Sequence, residues 1–296
     1  MVSRHCRYRA AVVMAAIMVA IVVQAFVFSQ QALGQEDNLA GTNAPAALGL
    51  PTELAGMGGP EQWTSREGLT SALQIMLMLT VISIAPAILL MTTSFIRIVI
   101  VLGLLRQAMG TQQLPPSQVI TAIALFMTVL IMTPVWTDVY EDSVKPYTAG
   151  DIGLEQAWDA GIAPVRRFME NQIERTGNND DVYMFLDHMP GEIDPVTGDL
   201  PEYSYGATEG EREVPLQALL PAFMLSELKT AFLIGFQIYL PFVILDIVVA
   251  SVTISMGMLM LPPVLISLPF KLLLFVLVDG WHLVVEMLLN SFQVLL

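Results

Sequence analysis

Six acidic or basic side chains other than histidine lie within the last two apolar runs of the sequence, residues 216–261 and 264–296: Glu227, Lys229, Asp246, Lys271, Asp279 and Glu286. A charge at bilayer depth costs on the order of 3 kcal/mol or more unless it is paired or hydrated. Three kinds of chemistry could use such groups: a proton or ion relay, two facing aspartates that hydrolyse peptide bonds within the membrane, or ion pairs that hold helices together. Glu227 and Lys229 are two residues apart, roughly 200° around a helix, so they cannot satisfy each other in regular helical structure. A hairpin that turns at 258–259 sets Asp246 opposite Lys271, and Lys229 opposite Leu288, less than one turn from Glu286. Contacts Asp246–Lys271 and Lys229–Glu286 are therefore expected across one hairpin. Glu227 and Asp279 are left to meet water, a neighbouring subunit or a partner protein. The same register puts Asp246 and Asp279 about eight residues apart, roughly 12 Å along the axis, too far for an aspartyl dyad.

The hairpin turn itself reads "MGMLMLPPVLISLPFK" over 256–271. Met256, Met258 and Met260 alternate, and methionine is unbranched, apolar and conformationally adaptable. Gly257, Pro262 and Pro263 take the chain out of regular helix. Spacing alone favours core methionines at a helix end; the alternative is a set of thioethers that converge on a partner or on copies of themselves. Signatures of catalysis are missing: the sequence has no nucleophile elbow, no His-Glu zinc motif and no Gly-rich phosphate loop. His5, His188, His282 and the single Cys6 do not have the spacing of zinc ligands. No catalytic residue, cofactor or metal is expected.

These residues must be positioned by helices. Of the 296 residues 55% are hydrophobic and 14% charged, with mean hydropathy +0.64, which places the chain among integral membrane proteins. The start carries Arg4, Arg7 and Arg9, then an apolar run over 10–28, then Ala32-Leu33-Gly34, the pattern of a secretory signal peptide over 1–34. An uncleaved first membrane helix is the alternative. Residues 35–68, rich in Gly, Ala, Pro and Asn, read as a flexible mature N-terminus. The first long apolar run, 69–105, has Pro86 near its middle, where a kink or split is expected, and holds Arg97. The second, 119–136, ends at "TPVWTD".

The net charge of −14 is concentrated. Residues 138–213 hold 18 acidic and 5 basic side chains, a balance that excludes the basic surface nucleic-acid binding needs. Within this block Pro164 reads as close to a helix start, followed by Val165, Phe168, Met169 and Gln172 at helical spacing. Asp180 reads as the cap of a second short helix with Val182, Phe185 and Leu186. Residues 190–213 read as a loop. The 106–118 loop has Arg106 and no acid, so it is assigned to the cytoplasmic side and the acidic block to the outside, in agreement with the signal peptide.

Three long stretches resemble the FliP family, flagellar export-gate membrane proteins whose relatives (SctR-like) serve virulence type III secretion: "TSFIRIVIVLGLLRQAMGTQQLPPSQV" (93–119), "LPAFMLSELKTAFLIGFQIYLPFVILDIVVASV" (220–252) and "MGMLMLPPVLISLPFKLLLFVLVDGWHLV" (256–284). The resemblance implies an all-α fold of integral membrane helical hairpins with a small helical periplasmic domain, assembling into a ring or cone. It also implies a pentamer of this chain joined by FliQ-like and FliR-like membrane subunits, located in the bacterial inner membrane at the flagellar basal body. Unfolded export substrates would pass through it, it would contact membrane lipid, and nucleic acid would be no partner. Met256, Met258 and Met260 of each copy would then line the constriction as a gasket, shaped by Gly257, Pro262 and Pro263. The six charges would serve hairpin or subunit contacts. The expected divisions are 1–34 signal peptide, 35–68 mature N-terminus, 69–137 first pair of membrane or gate helices, 138–214 acidic periplasmic domain and 215–296 C-terminal hairpin. A solute or ion transporter subunit is the competing function; it should carry an internal repeat, and the two apolar halves show none.

Overall fold

A Thr-Thr-Ser triplet, not a proline, decides where the first long apolar run breaks. The computed structural model describes residues 66–111, 115–189, 203–205, 212–258 and 262–292. The signal peptide over 1–34, nearly all of 35–68 and most of 190–213 lie outside the described residues. Helix α1, Arg66–Met91, continues through Pro86. Thr92, Thr93 and Ser94 are buried and non-helical, and the Thr93 hydroxyl donates to the Leu90 carbonyl at 3.3 Å. Helix α2, Phe95–Ala108, follows. Proline removes one backbone bond but leaves the turns on either side intact, whereas short hydroxyl side chains compete for backbone groups and favour a break.

Among the described residues, 66–89 form one unit and 90–292 a second. In the first, the α1 side chains Met76, Leu77, Leu79, Ile84 and Ile88 are exposed.

The second unit is built around α2 and a 40-residue helix, α7, Leu216–Ser255. At 1.5 Å per residue α7 is about 60 Å long, twice the ~30 Å of a hydrocarbon core. Its two halves differ. Ala218 to Phe242 supply eleven of its buried residues, while beyond them only Thr253 is buried. The buried half packs on α2, whose Ile98, Val101, Leu102 and Leu105 are almost wholly enclosed. The two helices approach so closely that a Cβ at Gly235 would overlap the Leu104 side chain.

Helix α3, Ser117–Val139, runs past the expected stop at "TPVWTD". It continues as a π turn, Tyr140–Val144, and helix α4, Lys145–Ala149. It thus crosses the expected 137/138 division as one rod over Ser117–Ala149. The Ser143 hydroxyl donates to the Ala157 carbonyl at 2.5 Å and fixes the rod against helix α5, Leu154–Thr176. That helix starts ten residues before Pro164, which is buried inside it; Gly153 supplies the start, its N–H bonded to Gln156 Oε1 at 3.3 Å. Of the expected pattern Phe168, Met169 and Gln172 are buried and Val165 is half-buried. Helix α6, Asn179–Asp187, is preceded by Asn178, so Asp180 lies in its first turn and is not its cap. In the segment expected as loop, a short parallel pair joins β1, Tyr203–Ser204, to β2, Arg212–Glu213. The chain closes with α8, Pro263–Leu277, and α9, Gly280–Phe292, bent by 64° from one another. Among the described residues two helices are long and apolar enough to cross a membrane, or up to four spans if each of two bent pairs is one span.

Candidate functional site

The methionine turn closes α7 by a paired backbone motif. The Gly257 N–H donates to the Ile254 carbonyl at 2.9 Å and the Met258 N–H to the Thr253 carbonyl at 3.1 Å. This is the Schellman arrangement, which needs a left-handed residue after the helix. Gly257 provides it with φ 78°. Pro263 opens α8 at a position where its missing N–H costs nothing, and Pro262 precedes it in extended conformation. Met256 is 69% exposed and Met258 38% exposed. Neither is buried among the described residues, so the two described methionines are not core residues of this protomer. Met260 lies outside the described residues.

Behind the turn the hairpin holds its own ion pair. Lys271 Nζ donates to Asp246 Oδ2 at 2.6 Å, and the Ser267 hydroxyl donates to Asp246 Oδ1 at 2.6 Å. The same ammonium donates to the carbonyl of Ala108 at 3.2 Å. Ala108 ends α2, so the cation also neutralises unpaired carbonyls at a helix C-terminus. Neutralising either partner should cost about 1–3 kcal/mol, the usual penalty for an abandoned buried partner. The reciprocal exchange, Asp246→Lys with Lys271→Asp, should regain part of that loss, and thermal unfolding in detergent reads it. Full recovery is not expected, because a carboxylate at 271 cannot donate to Ala108. A double variant no better than the worse single variant would contradict the pairing.

The second hairpin pair is a correction. Lys229 meets Asp181 of α6, at 2.5 Å, not Glu286. The antiparallel register stops at Leu277, where the chain turns away: Asp279 has φ 50° and α9 departs at the 64° bend. Glu286 is exposed beside His282, 3.8 Å away. Asp279 is exposed at the elbow, and its carboxylate has no hydrogen bond or ion pair among the described residues.

Glu227 is not left over. It is fully buried against Arg97, which is buried equally. Arg97 Nε donates to Glu227 Oε2 at 2.8 Å and Nη2 donates to Oε1, a bidentate pair. The guanidinium also donates to Gln172 Oε1 at 3.3 Å and to the carbonyl and hydroxyl oxygens of Ser291 at 3.1 and 3.2 Å. Its carbon sits 4.0 Å from the centre of the Phe292 ring. Gln172 Nε2 and Arg175 Nη1 donate to the Phe292 carbonyl at 3.3 and 3.0 Å. One hub thus joins α2, α5, α7 and the last turn of α9, whose orphan carbonyls receive the donors they need. Sequence reasoning does not single out Arg97, Gln172, Asp181, Ser291 and Phe292 as partners. The usable signal is a lone cation in one apolar run and an unmatched acid, Glu227, in another.

The acidic block contributes one strongly perturbed carboxylate. Glu170 is buried on α5, and its Oε1 has no hydrogen bond among the described residues. Burial lifts its pKa to about 7, with Arg166 opposing and Glu213 adding to the rise. An acid whose folded pKa exceeds its unfolded value contributes stability that is full below about pH 4.5 and lost as pH rises through about 7. Glu170→Gln should therefore stabilise the protein at pH 8 by on the order of 1–2 kcal/mol and by much less at pH 5. Unfolding curves at the two pH values check this; an equal effect at both would contradict it.

Apolar helices with exposed apolar faces, joined by the ion pairs Arg97–Glu227 and Asp246–Lys271, define an α-helical membrane protein. Among the described residues no cluster of His, Cys, Asp and Glu could hold a metal ion. Residues 78–288 match the FliP family. A flagellar biosynthetic protein FliP of Caulobacter vibrioides is 47% identical over 227 residues, 76% of this chain and 79% of the relative. One of Bacillus subtilis is 44% identical over 226 residues, 76% of this chain and 94% of the relative. One of Pectobacterium carotovorum is 44% identical over 244 residues, covering 82% and 85%. The chain belongs to the FliP family.

Proposed function

We propose that the chain is a structural subunit of the flagellar protein-export gate in the bacterial inner membrane, forming part of the closed pore through which unfolded flagellar substrates are secreted across that membrane. Family membership carries this reading, since the relatives bear the name flagellar biosynthetic protein. Several copies, five by family resemblance, assemble with FliQ-like and FliR-like subunits at the flagellar basal body. The acidic block over 138–214 lies on the periplasmic side as a domain that guides subunit contact. Met256, Met258 and Met260 of each copy meet around one axis and seal it. A narrow apolar constriction excludes ions by dewetting, and thioether chains deform around cargo of any sequence. The exposure of Met256 and Met258 at the C-terminal end of α7 supports this role. The subunit is a scaffold, not a catalyst, and export is energised elsewhere. The mass of the detergent-extracted particle tests the reading: a multi-copy assembly is expected, and a monomer or dimer would favour a solute transporter.

A further inference from the structure

Helix α3 exposes one narrow stripe. Val119, Ala122, Phe126, Leu130, Pro134 and Asp138 are exposed at intervals of three and four residues, and every position between them is buried or half-buried. The first five are apolar and cover about 22 Å at 1.5 Å per residue. That exceeds one leaflet, about 15 Å or half a hydrocarbon core. The stripe ends in a cavity of about 350 Å³, which Pro134 and Asp138 both line. Helix α5 lines the same cavity with Arg167, Asn171 and Arg175, exposed at intervals of four. Two of the five basic side chains in the acidic block therefore gather at one hollow. Arg175 is held there by donating to the Phe292 carbonyl at 3.0 Å. Arg167 lies 3.9 Å from Asp142, both 57% exposed, too long for a hydrogen bond, so its donors suit a ligand.

The order of chemistry along this surface is specific: an apolar ridge on a helix long enough to cross a membrane, then two guanidinium groups from one helix and a carboxylate from another. A single phospholipid presents the complement in the same order, acyl chain, phosphate, then headgroup. A protein segment would have to set an acid and a base together at one end of an apolar ridge, and a cavity at the small end of the ligand-pocket range is headgroup-sized. We propose that the cavity seats a phospholipid of the ethanolamine type, its phosphate against Arg167, Asn171 and Arg175, its ammonium against Asp138, and an acyl chain along Leu130 and Phe126. Guanidinium donors match phosphate oxygens in pairs. Asp138 selects the ammonium, because a headgroup without a cation would leave two anions facing each other. The proposal needs α3 in a bilayer and does not rest on the export-gate reading.

Lipid titration of the delipidated, detergent-extracted particle tests this, read by native mass spectrometry. Dioleoyl phosphatidylethanolamine should bind the parent about fivefold more tightly than phosphatidylglycerol or phosphatidylcholine with the same chains, the usual worth of one charge at a membrane surface; choline has no N–H to donate. Arg167→Gln should weaken all three lipids by about that factor, and Asp138→Asn should erase the preference for ethanolamine alone. Both positions are exposed, so particle mass and thermal unfolding should match the parent. Phosphoethanolamine, the headgroup without chains, should not compete at concentrations that saturate the lipid. Equal binding of the three lipids, a preference that survives Asp138→Asn, or binding indifferent to Arg167→Gln would overturn the proposal. Absence of bound lipid would mean that a neighbouring copy covers the cavity, and full competition by phosphoethanolamine would make it a soluble-ligand site; either would overturn it equally.

Discussion

Glu227→Ala is expected to destabilise the protein by about 3–5 kcal/mol, the usual loss when one member of a buried ion pair is removed. Arg97 is then left fully buried with its two strongest acceptors gone. Water cannot reach it, and the remaining partners, Gln172 and Ser291, are neutral. Arg97→Met is expected to be as harmful for a different reason. It strands the Glu227 carboxylate and also withdraws donors from the last turn of α9, so that helix should loosen from α2. Arg97→Lys does not rescue, because an ammonium cannot make the bidentate contact and reach Ser291 at once. The double variant Arg97→Met with Glu227→Met removes both charges and should recover part of the loss, with a coupling energy above about 1 kcal/mol in a double-mutant cycle whose single variants are Arg97→Met and Glu227→Met. The remaining deficit belongs to the unpaired Ser291 carbonyl. Unfolding of the detergent-solubilised protein measures all four states; single variants within about 0.5 kcal/mol of the parent would contradict the hub.

Replacing Met256, Met258 and Met260 together by Ala is expected to leave the fold intact and open the membrane to ions. Met256 is 69% and Met258 38% exposed, so truncation removes little packing and the α7–α8 hairpin retains its Schellman cap and its Asp246–Lys271 pair. In an assembly, each copy would lose three long apolar side chains from a shared constriction. A pore widened by several ångströms wets, and conduction then rises steeply. Membrane conductance of cells or reconstituted particles should increase at least tenfold while particle mass is unchanged. Gly257→Ala tests the same turn from the backbone, since a Cβ is strained at φ 78°. Unchanged conductance and unchanged export in the triple variant would remove the gasket.

How much was legible in the sequence follows from the range over which each signal acts. Asp246 and Lys271 could be paired because a regular antiparallel hairpin converts a turn position into a register. That rule failed for Lys229 and Glu286 because it assumes two straight helices, and a single left-handed residue at Asp279 bends the second one away. Glu227 was recognisable as unsatisfied, but its partner is 130 residues distant, on a helix that no periodicity links to it. The apolar pattern of α5 was readable at Phe168, Met169 and Gln172, yet its start was not, since Pro164 is as compatible with a helix interior packed by tertiary contacts as with a first turn. Nothing in "TPVWTD" announced that α3 continues through a π turn; the Ser143–Ala157 contact that fixes it is tertiary. The methionine turn was the most legible feature, because Gly257, Pro262 and Pro263 act through backbone geometry within a few residues.

A density map of the purified particle, with Met256 and Met258 resolved, tests the shared methionine seal most directly. Thioethers from neighbouring copies are expected within van der Waals reach of one another around a central axis. Methionines that point outward into the detergent belt, remote from any central conduit, would contradict it.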